Sequence, residues 1–395
     1  MQNFTFYSPT KIIFGKDTER NAGQEIVRFG GTRVLLHYGS KSAEKSGLLS
    51  RAEASLREAG LYYTKLGGVE PNPILSLVYE GVSLCKKEKI DFILAVGGGS
   101  VIDSAKAISI GAKNPDLDVW DDVIAGGKQI SEVLPLGTIL TIAASGSEMS
   151  NSVVITNDKT VVKRGYNNDI VRPRFSILNP ELTYTLPTFQ TACGCADIMM
   201  HSMERFFSVT EGNEVSDMLA VAVFNTVKKY ARTAIDKPED YQSHSEIMWA
   251  GSLSHNGITG LGAVNDWATH QMGHEISALF NSAHGAALTA LWGSWARFVY
   301  KTRPERFAEF GSKVFNLPLT GDSDKDALKA ISKTEEFFSS LGLPVGLTEL
   351  AGKLSEDEVR NLAYRCTYQM KRTIGGFMKL GYDEIFEIYR VASAK

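Results

Sequence analysis

The first half of the chain alternates short apolar runs with longer amphipathic segments. Residues 33–38 and 91–96 are almost uninterrupted apolar runs, which is typical of strands buried on both faces of a parallel sheet. A helical pattern follows each run, over 43–59 and 100–110. This alternation of strand and helix with short connections predicts a doubly wound parallel sheet. Further strands are predicted over 61–66, over 134–143 and, as two short strands broken at Pro9, over 4–15.

From about residue 185 the apolar positions recur with helical spacing as far as the C-terminus. The sequence therefore predicts an α/β domain with a parallel sheet over 1–185 and an all-helical domain over 186–395. Helices of the second domain are predicted over 189–208, 214–232, 243–256, 263–278, 284–299, 303–314, 324–341 and 355–368.

Two loops of small residues follow predicted buried strands. Gly97–Ser100 joins an apolar strand to a helix, where glycines allow the backbone to approach a phosphate and the helix N-terminus offers free N–H groups. The spacing is not G-x-G-x-x-G, and a plain turn with Ser100 and Asp103 as a helix cap is an alternative. The second loop covers residues 143–148. Two such loops at one edge of a sheet favour a dinucleotide over a simple phosphate.

Metal-ligating side chains cluster in the second half of the chain. Three of the seven histidines lie within residues 264–292. Upstream, Asp197 and His201 stand four residues apart, on one face of a helix. A carboxylate with two or three imidazoles can hold one divalent ion with a position left open, whereas a single helical histidine is more often a core or surface group. Spacing alone favours His270 together with His274, and the third histidine is His284.

Composition and charge limit the partners and the cellular compartment that we expect for this protein. The chain has 395 residues and a net charge of −3, which gives no indication of nucleic acid or an anionic membrane as a partner. No apolar run is long enough to span a bilayer, and the N-terminus does not resemble a secretory signal. The four cysteines are scattered, so we expect reduced thiols and a cytoplasmic protein.

Six segments together resemble the iron-containing (group III) alcohol dehydrogenases, especially the bacterial butanol dehydrogenases and broad-range aldehyde reductases. The resemblance implies a dinucleotide-binding domain, a helical metal-binding domain, and a homodimer. It also implies hydride transfer between NAD(P)H and small alcohols or aldehydes. The segments are G-V-E-P-N-P (68–73), A-V-G-G-G-S-V-I-D-S-A-K (95–106), A-S-G-S-E-M-S (144–150), T-Y-T-L-P (183–187), D-I-M-M-H (197–201) and D-W-A-T-H-Q-M-G-H-E…A-H-G (266–285).

The resemblance assigns roles to individual residues. It implies Fe²⁺ at Asp197, His201, His270 and His284, and in this it overrules the pairing of His270 with His274 that spacing favours. The donor set by itself also suits Zn²⁺, Co²⁺ or Mn²⁺. His274 is then a candidate for a catalytic proton relay, and the alternative route is water through the nicotinamide ribose hydroxyl. The implied cofactor contacts are Asn72, Gly98, Gly99, Ser100, Asp103, Thr138, Thr141, Ser147, Ser150, Lys163 and Leu182.

The sequence departs from some NAD-preferring relatives at the end of the first long strand. Those relatives place there an Asp that binds the ribose hydroxyls and repels a 2′-phosphate. Here the position is Gly39, followed by Ser40, Lys41 and Ser42. A lysine and two hydroxyls could bind the phosphate, so NADP(H) is favoured, with NAD(H) also possible. The alternative is that Lys41 only points to solvent.

Three other functions compete with this interpretation. A dehydroquinate-synthase-like lyase would need basic residues for a phosphorylated substrate, and residues 264–292 contain no Lys or Arg. A metal hydrolase without redox chemistry would leave the glycine loops without a role. A binding protein with a degenerate site is disfavoured because every expected ligand position is filled. Aromatic residues suggest short or medium aliphatic substrates, although they could equally be core; they are Trp267, Phe280 and Trp292.

Overall fold

A parallel six-stranded sheet is the centre of the first half of the protein. The computed structural model describes residues 1–39 and 42–395. Its strands are β1 (Lys11–Phe14), β2 (Arg33–Gly39), β3 (Tyr62–Val69), β4 (Phe92–Gly97), β5 (Leu136–Leu140), β6 (Ser152–Asn157), β7 (Val162–Asn167) and β8 (Phe175–Leu178). Within the described residues the strand order of the sheet is β1-β8-β5-β4-β2-β3, and β6 and β7 form a separate antiparallel pair.

Helices cover both faces of this sheet, which confirms the predicted fold class. In β4, Phe92 and Leu94 pack into one apolar cluster, and Ile93 and Ala95 pack into another. Because alternate side chains of a strand point to opposite faces, burial on both faces requires the uninterrupted apolar run seen in the sequence. The helices of this part are α1 (Ala22–Arg28), α2 (Ser42–Lys45), α3 (Leu48–Glu58), α4 (Leu75–Lys87) and α5 (Gly99–Lys113).

The order of the strands reverses between β2 and β4. From β2 the chain moves outward to β3, and from β4 it moves in the other direction to β5. In open α/β sheets, ligands bind beyond the carboxyl ends of the strands at such a switch point. Gly39 ends β2 and Gly97 ends β4. The switch point therefore coincides with two segments that the sequence marked for cofactor binding.

The second half of the protein is helical, as predicted. Its core contains a cluster of aromatic rings in which Phe207 packs against Trp292, Trp295 and Phe307. None of the helices in the described ranges is long and apolar enough to cross a membrane. The helices are α6 (Thr188–Phe206), α7 (Glu214–Asp236), α8 (Tyr241–His255), α9 (Ala268–Phe280), α10 (His284–Val299), α11 (Pro304–Phe315), α12 (Ser323–Ser340), α13 (Leu347–Ala351), α14 (Glu356–Cys366) and α15 (Tyr382–Ala392).

The chain divides into two compact units. The sheet unit comprises Tyr7–Leu186 and Pro238–Ser252, and the helical unit comprises Met1–Phe6, Pro187–Lys237 and Leu253–Lys395. The domains expected from the sequence, 1–185 and 186–395, differ from these units mainly in the segments 1–6 and 238–252. The difference arises because the periodicity of a segment predicts whether it is a helix or a strand, but does not predict which of the two units it packs against. The domain boundaries themselves stay a prediction.

Two local predictions are wrong. The strand expected before Pro9 does not form, because residues 4–8 find no strand partner and their side chains are largely exposed. The alternative cap by Ser100 and Asp103 does not form either. Helix α5 begins after Gly98 without a side-chain cap. The carboxylate of Asp103 accepts hydrogen bonds from Ser147 and Val154 instead.

Candidate metal centre and candidate nucleotide loops

One face of helix α6 carries two of the expected metal ligands. Asp197 and His201 are separated by one helical turn, and Glu204 continues the same face. His270 lies on α9, and His284 is the first residue of α10. The candidate ligands thus come from three helices of the helical unit, and only the first pair is fixed by spacing within one helix.

Three ring nitrogens surround one carboxylate oxygen. The Oδ1 atom of Asp197 lies 3.5 Å from Nδ1 of His201, 3.7 Å from Nε2 of His270 and 3.9 Å from Nε2 of His284. The potential ligand atoms of Asp197, His201 and His270 all lie within 4.8 Å of one another. These separations exceed ordinary hydrogen-bond lengths. A divalent cation held by Asp197, His201, His270 and His284 would bring all four donors into use.

Burial makes this arrangement costly without a cation. Asp197 is 4% exposed, His201 4% and His270 5%. His201 Nδ1 and His270 Nε2 make no hydrogen bond to any residue in the described ranges. Buried polar atoms are rarely left in this state unless a water or an ion satisfies them. The residues present therefore fit a divalent metal ion.

The two buried imidazoles differ in their electrostatics. Burial lowers the pKa of His201 well below its ordinary value. Burial also opposes a proton on His270, but Asp197 and Glu204 outweigh it and raise the pKa of His270 to about 9. Without a cation, the carboxylates thus favour a positive charge at His270. A divalent ion would supply that charge and displace the proton.

Glu204 and Asp266 are buried carboxylates that contact helix α9, which carries His270. Glu204 Oε1 accepts a hydrogen bond from the backbone N–H of His270 and lies 3.0 Å from its Nδ1. Asp266 accepts hydrogen bonds from the N–H groups of Ala268, Gly376 and Phe377, and so anchors the start of α9. Burial, followed by the charge of Glu204, raises the pKa of Asp266 to about 7.

Aromatic and cationic groups also lie near His201. The ring centroids of His201 and His255 are 4.1 Å apart, and the guanidinium of Arg205 lies 4.6 Å from the ring centroid of Trp267. Trp267 also contacts His270 edge to face at 5.3 Å. Of the aromatics suggested for a substrate pocket, Trp292 is instead a core residue, 2% exposed.

His274 lies one turn beyond His270 on α9. It is absent from the three-residue cluster, and its ring centroid lies 5.5 Å from that of His284. Helical spacing places His270 and His274 on one face, but only His270 of the two joins the cluster with Asp197 and His201. The structure therefore places His274 beside the centre, where a proton relay remains a proposal.

In the sheet unit, the two small-residue loops contact each other. A Cβ on Gly99 would lie 2.1 Å from Oγ of Ser145, so a side chain at position 99 would force Ser145 to move. A backbone hydrogen bond lies next to this contact: the N–H of Thr141, directly after β5, donates to the carbonyl of Gly97 at the end of β4 at 3.1 Å. Gly98 and Gly99 stand at the N-terminus of the long helix α5, whose free N–H groups suit a phosphate.

A buried lysine holds the second loop in place. Lys106 Nζ donates hydrogen bonds to Ser147 Oγ at 2.9 Å, to the Ser150 carbonyl at 3.0 Å and to the Ser152 carbonyl at 2.8 Å. Ser147 in turn donates to Asp103 at 2.5 Å. Burial lowers the pKa of Lys106 to about 8. Asp103, Ser147 and Ser150 were expected from the resemblance, whereas Lys106 was not.

The other expected cofactor residues are spread over the sheet unit. Lys163 Nζ donates to Asn72 Oδ1 at 2.8 Å. Thr138 is buried in β5, and Leu182 packs against the core beneath the sheet. Gly39 ends β2 and Ser42 begins α2, while Ser40 and Lys41 lie outside the described residues. The direct role of each in cofactor binding stays a proposal.

Sequence reasoning missed Glu204, Asp266 and Lys106. Glu204 had a usable signal, because it follows Asp197 and His201 at positions i, i+4 and i+7 of one helix. Lys106 had none, since its partners are distant in the sequence, and for Asp266 only the hydrogen bond to Ala268 is local.

Comparisons with known proteins agree with this architecture. A model described as iron-containing alcohol dehydrogenase matches residues 9–180, and a model of the C-terminal region of the Fe-containing alcohol dehydrogenase family matches residues 191–393. The chain belongs to the iron-containing alcohol dehydrogenase family. It is therefore an NAD(P)-dependent oxidoreductase of the alcohol dehydrogenase and aldehyde reductase type. The lyase, hydrolase and binding-protein alternatives are set aside.

Individual relatives cover nearly the whole dehydrogenase chain. NADH-dependent butanol dehydrogenase A of Clostridium acetobutylicum is 38% identical over 391 residues, with 99% of each chain covered. NADPH-dependent aldehyde reductase YqhD of Escherichia coli is 34% identical, covering 88% of this chain and 89% of its own. The crystal structure of NADH-dependent butanol dehydrogenase A from Thermotoga maritima superposes with a TM-score of 0.95 at 35% identity, covering 100% and 99% of the chains.

Proposed function

We propose that this dehydrogenase reduces short or medium-chain aldehydes to alcohols, and oxidises the alcohols in the reverse direction, with NADP(H) as its favoured cofactor. The observation that carries the proposal is the group of three imidazole nitrogens around Oδ1 of Asp197. Neither glycine loops nor a buried histidine alone would support metal-assisted hydride transfer.

In this proposal Asp197, His201, His270 and His284 hold a divalent ion, with Fe²⁺ preferred from the family and Zn²⁺, Co²⁺ or Mn²⁺ compatible with the donors. The ion would act as a Lewis acid that polarises the substrate oxygen, and the nicotinamide would supply or accept the hydride. Asp197 contributes the one negative charge among the four donors. Burial of Asp197, His201 and His270 limits the access of water to three of the four ligands.

His274 is the proposed proton relay. A proton must reach the oxygen during reduction and leave it during oxidation. His274 is partly exposed and lies beside His284 rather than in the ligand cluster. Imidazole is the side chain whose ordinary pKa suits proton exchange near neutral pH. Replacing His274 with Phe should lower kcat and leave the metal content unchanged.

The preference for NADP(H) rests on the end of β2. Gly39 places no carboxylate where a 2′-phosphate would lie, and Lys41 with the hydroxyls of Ser40 and Ser42 offers it partners. The named relatives divide on this point, since two butanol dehydrogenases are called NADH-dependent and YqhD is called NADPH-dependent. The chain's own residues thus decide the proposal. A cytoplasmic homodimer also stays a prediction.

The test is oxidation of NADPH and of NADH by butanal, in parallel, on metal-loaded protein and on a chelated aliquot. We expect turnover that favours NADPH and is lost on chelation. Turnover that favours NADH would contradict the cofactor assignment and keep the chemistry. Full activity after verified removal of the metal would contradict the metal mechanism.

A further inference from the structure

A single carboxylate oxygen contacts His270 at two places. Glu204 Oε1 accepts the backbone N–H of His270 at 2.8 Å and lies 3.0 Å from Nδ1 of its ring. Glu204 is 4% exposed and His270 is 5% exposed. Because one atom engages both the main chain and the ring, it fixes the position of α9 at this residue and the rotation of the imidazole together.

The chemistry of the acceptor determines which ring nitrogen carries a proton. A carboxylate only accepts hydrogen bonds, so Nδ1 of His270 must be the donor in this contact. In the neutral ring, the lone pair is then on Nε2. That nitrogen faces Asp197 Oδ1 at 3.7 Å and makes no hydrogen bond to any described residue. The contact therefore presents the nitrogen that a metal ion would bind.

We propose that Glu204 is a positioning residue of the metal centre, which holds His270 in the tautomer and orientation needed to bind the ion through Nε2. The proposal rests on the metal centre of the proposed function and adds a residue to it. Outer carboxylates of this kind orient the ring and raise its basicity, and their loss typically weakens metal binding by about 10–100-fold.

The backbone of Glu204 also takes part in the connection between α6 and α9. It lies on α6, on the face that carries Asp197 and His201. Its carbonyl accepts the N–H of Asp266 at 2.7 Å, and the Asp266 carboxylate accepts the N–H of Ala268 at the start of α9. One backbone hydrogen bond thus joins α6 to the segment before α9 independently of the Glu204 side chain, which adds its own contacts to the backbone and ring of His270.

The experiment measures Co²⁺ binding by the metal-stripped full-length protein, in competition with a chromophoric chelator. The variants are Glu204→Gln, which keeps an oxygen acceptor and loses the charge, and Glu204→Leu, which loses both. The control is Glu275→Gln. Glu275 is equally buried on α9 and pairs with Arg365 at 3.0 Å, so its loss also disturbs the helix.

We expect Glu204→Gln to weaken Co²⁺ binding by about tenfold and Glu204→Leu by about a hundredfold. Glu275→Gln should bind Co²⁺ as the wild type does, even where its melting temperature falls. In the Zn²⁺-loaded protein with ¹⁵N-labelled histidine, the hydrogen-bonded Nδ1–H signal of His270 should be present in the wild type and absent in Glu204→Leu.

Wild-type Co²⁺ affinity in both Glu204 variants would overturn the proposal, as would an equal loss in Glu275→Gln. If Glu204→Leu does not fold, the proposal is tested by comparing the Co²⁺ affinities of Glu204→Gln and Glu275→Gln. If the wild-type protein binds no Co²⁺, the proposed metal centre itself is contradicted, and the role of Glu204 falls with it. This outcome is distinct from a failure of the Glu204 proposal alone, in which the wild type and the variants bind Co²⁺ equally well.

Discussion

Helix α10 begins against the backbone of α6, where a Cβ on Gly285 would lie only 2.1 Å from the carbonyl oxygen of Cys193. Cys193 is one turn before Asp197, and Gly285 directly follows His284. The absence of a side chain at Gly285 therefore lets the two helices approach closely enough for His284 to reach the carboxylate of Asp197.

We predict that Gly285→Ala displaces the start of α10 from α6. The overlap is with backbone, which cannot move aside as a side chain can, and such overpacking typically costs about 1–3 kcal/mol. Metal content after dialysis should fall below one per chain, as measured by inductively coupled plasma mass spectrometry. Gly165→Ala, where the added Cβ makes only an ordinary 3.7 Å contact, is the control. Full metal occupancy in Gly285→Ala would contradict this account.

A carboxylate at position 39 should reverse the cofactor preference. Gly39 has no left-handed φ, and a Cβ there would make ordinary contacts of 3.6 Å with Val101 and Val69, so the fold should accept a side chain. Gly39→Asp should lower kcat/KM for NADPH relative to NADH by about tenfold or more, because its charge repels the 2′-phosphate. Gly39→Asn, similar in size and uncharged, separates charge from bulk. An unchanged ratio in Gly39→Asp would place the phosphate elsewhere.

Removal of the buried ammonium at Lys106 should loosen the second loop. Lys106→Met retains much of the side-chain volume and loses charge-assisted hydrogen bonds to Ser147, Ser150 and Ser152. Hydrogen bonds to charged groups contribute about 1.5–3 kcal/mol each, so the dissociation constant for NADPH should rise by about tenfold or more. Lys113→Met, at the exposed end of α5, should leave it unchanged. Fluorescence titration with NADPH measures both, and equal constants would refute the prediction.

His37 should make the stability of the sheet unit depend on pH. It is fully buried in β2, where Nδ1 donates to the Leu66 carbonyl and Nε2 accepts from Ser104, so the neutral ring is satisfied. Burial lowers its pKa from 6.5 to about 4. Between about pH 6.5 and 4 the unfolded chain binds the proton more tightly, so stability falls as the pH falls, by up to about 3 kcal/mol.

The check is the melting temperature of the wild type and of His37→Gln at intervals between pH 7 and 4.5. Other acids titrate in both proteins, so the difference between the two slopes isolates His37. The wild type should lose more stability on acidification than the variant does. Parallel curves would contradict the prediction, because they would mean that His37 binds its proton equally in the folded and unfolded states.

The sequence was most informative where chemistry follows from local spacing. The uninterrupted run at 91–96 predicted a strand buried on both faces, and β4 has this environment because its alternate side chains enter two different apolar clusters. Asp197 and His201 were paired by one helical turn. The strand predicted before Pro9 was wrong, because an alternating pattern cannot form a strand without a neighbour to pair with.

Spacing favoured His270 together with His274 as ligands, because both lie on one face of the same helix, whereas the cluster contains only His270 of the two. The choice depends on where α6 and α10 pass α9, and contacts between residues distant in the sequence determine this. The same reason explains why Lys106 was missed, since three oxygens from residues more than forty positions away give it its role.

Strands β6, β7 and β8 were not predicted from the sequence. By itself, the sequence determined the type of most other main elements, the order of α/β and helical parts, and the residue types from which a metal centre and nucleotide loops could be built. These follow from periodicity and side-chain chemistry, which are properties of short segments. Only the tertiary structure decided that three imidazole nitrogens converge on one oxygen of Asp197 and that Glu204 orients one of those rings. Such convergence depends on helix packing, where a single missing Cβ at Gly285 sets how closely two backbones approach.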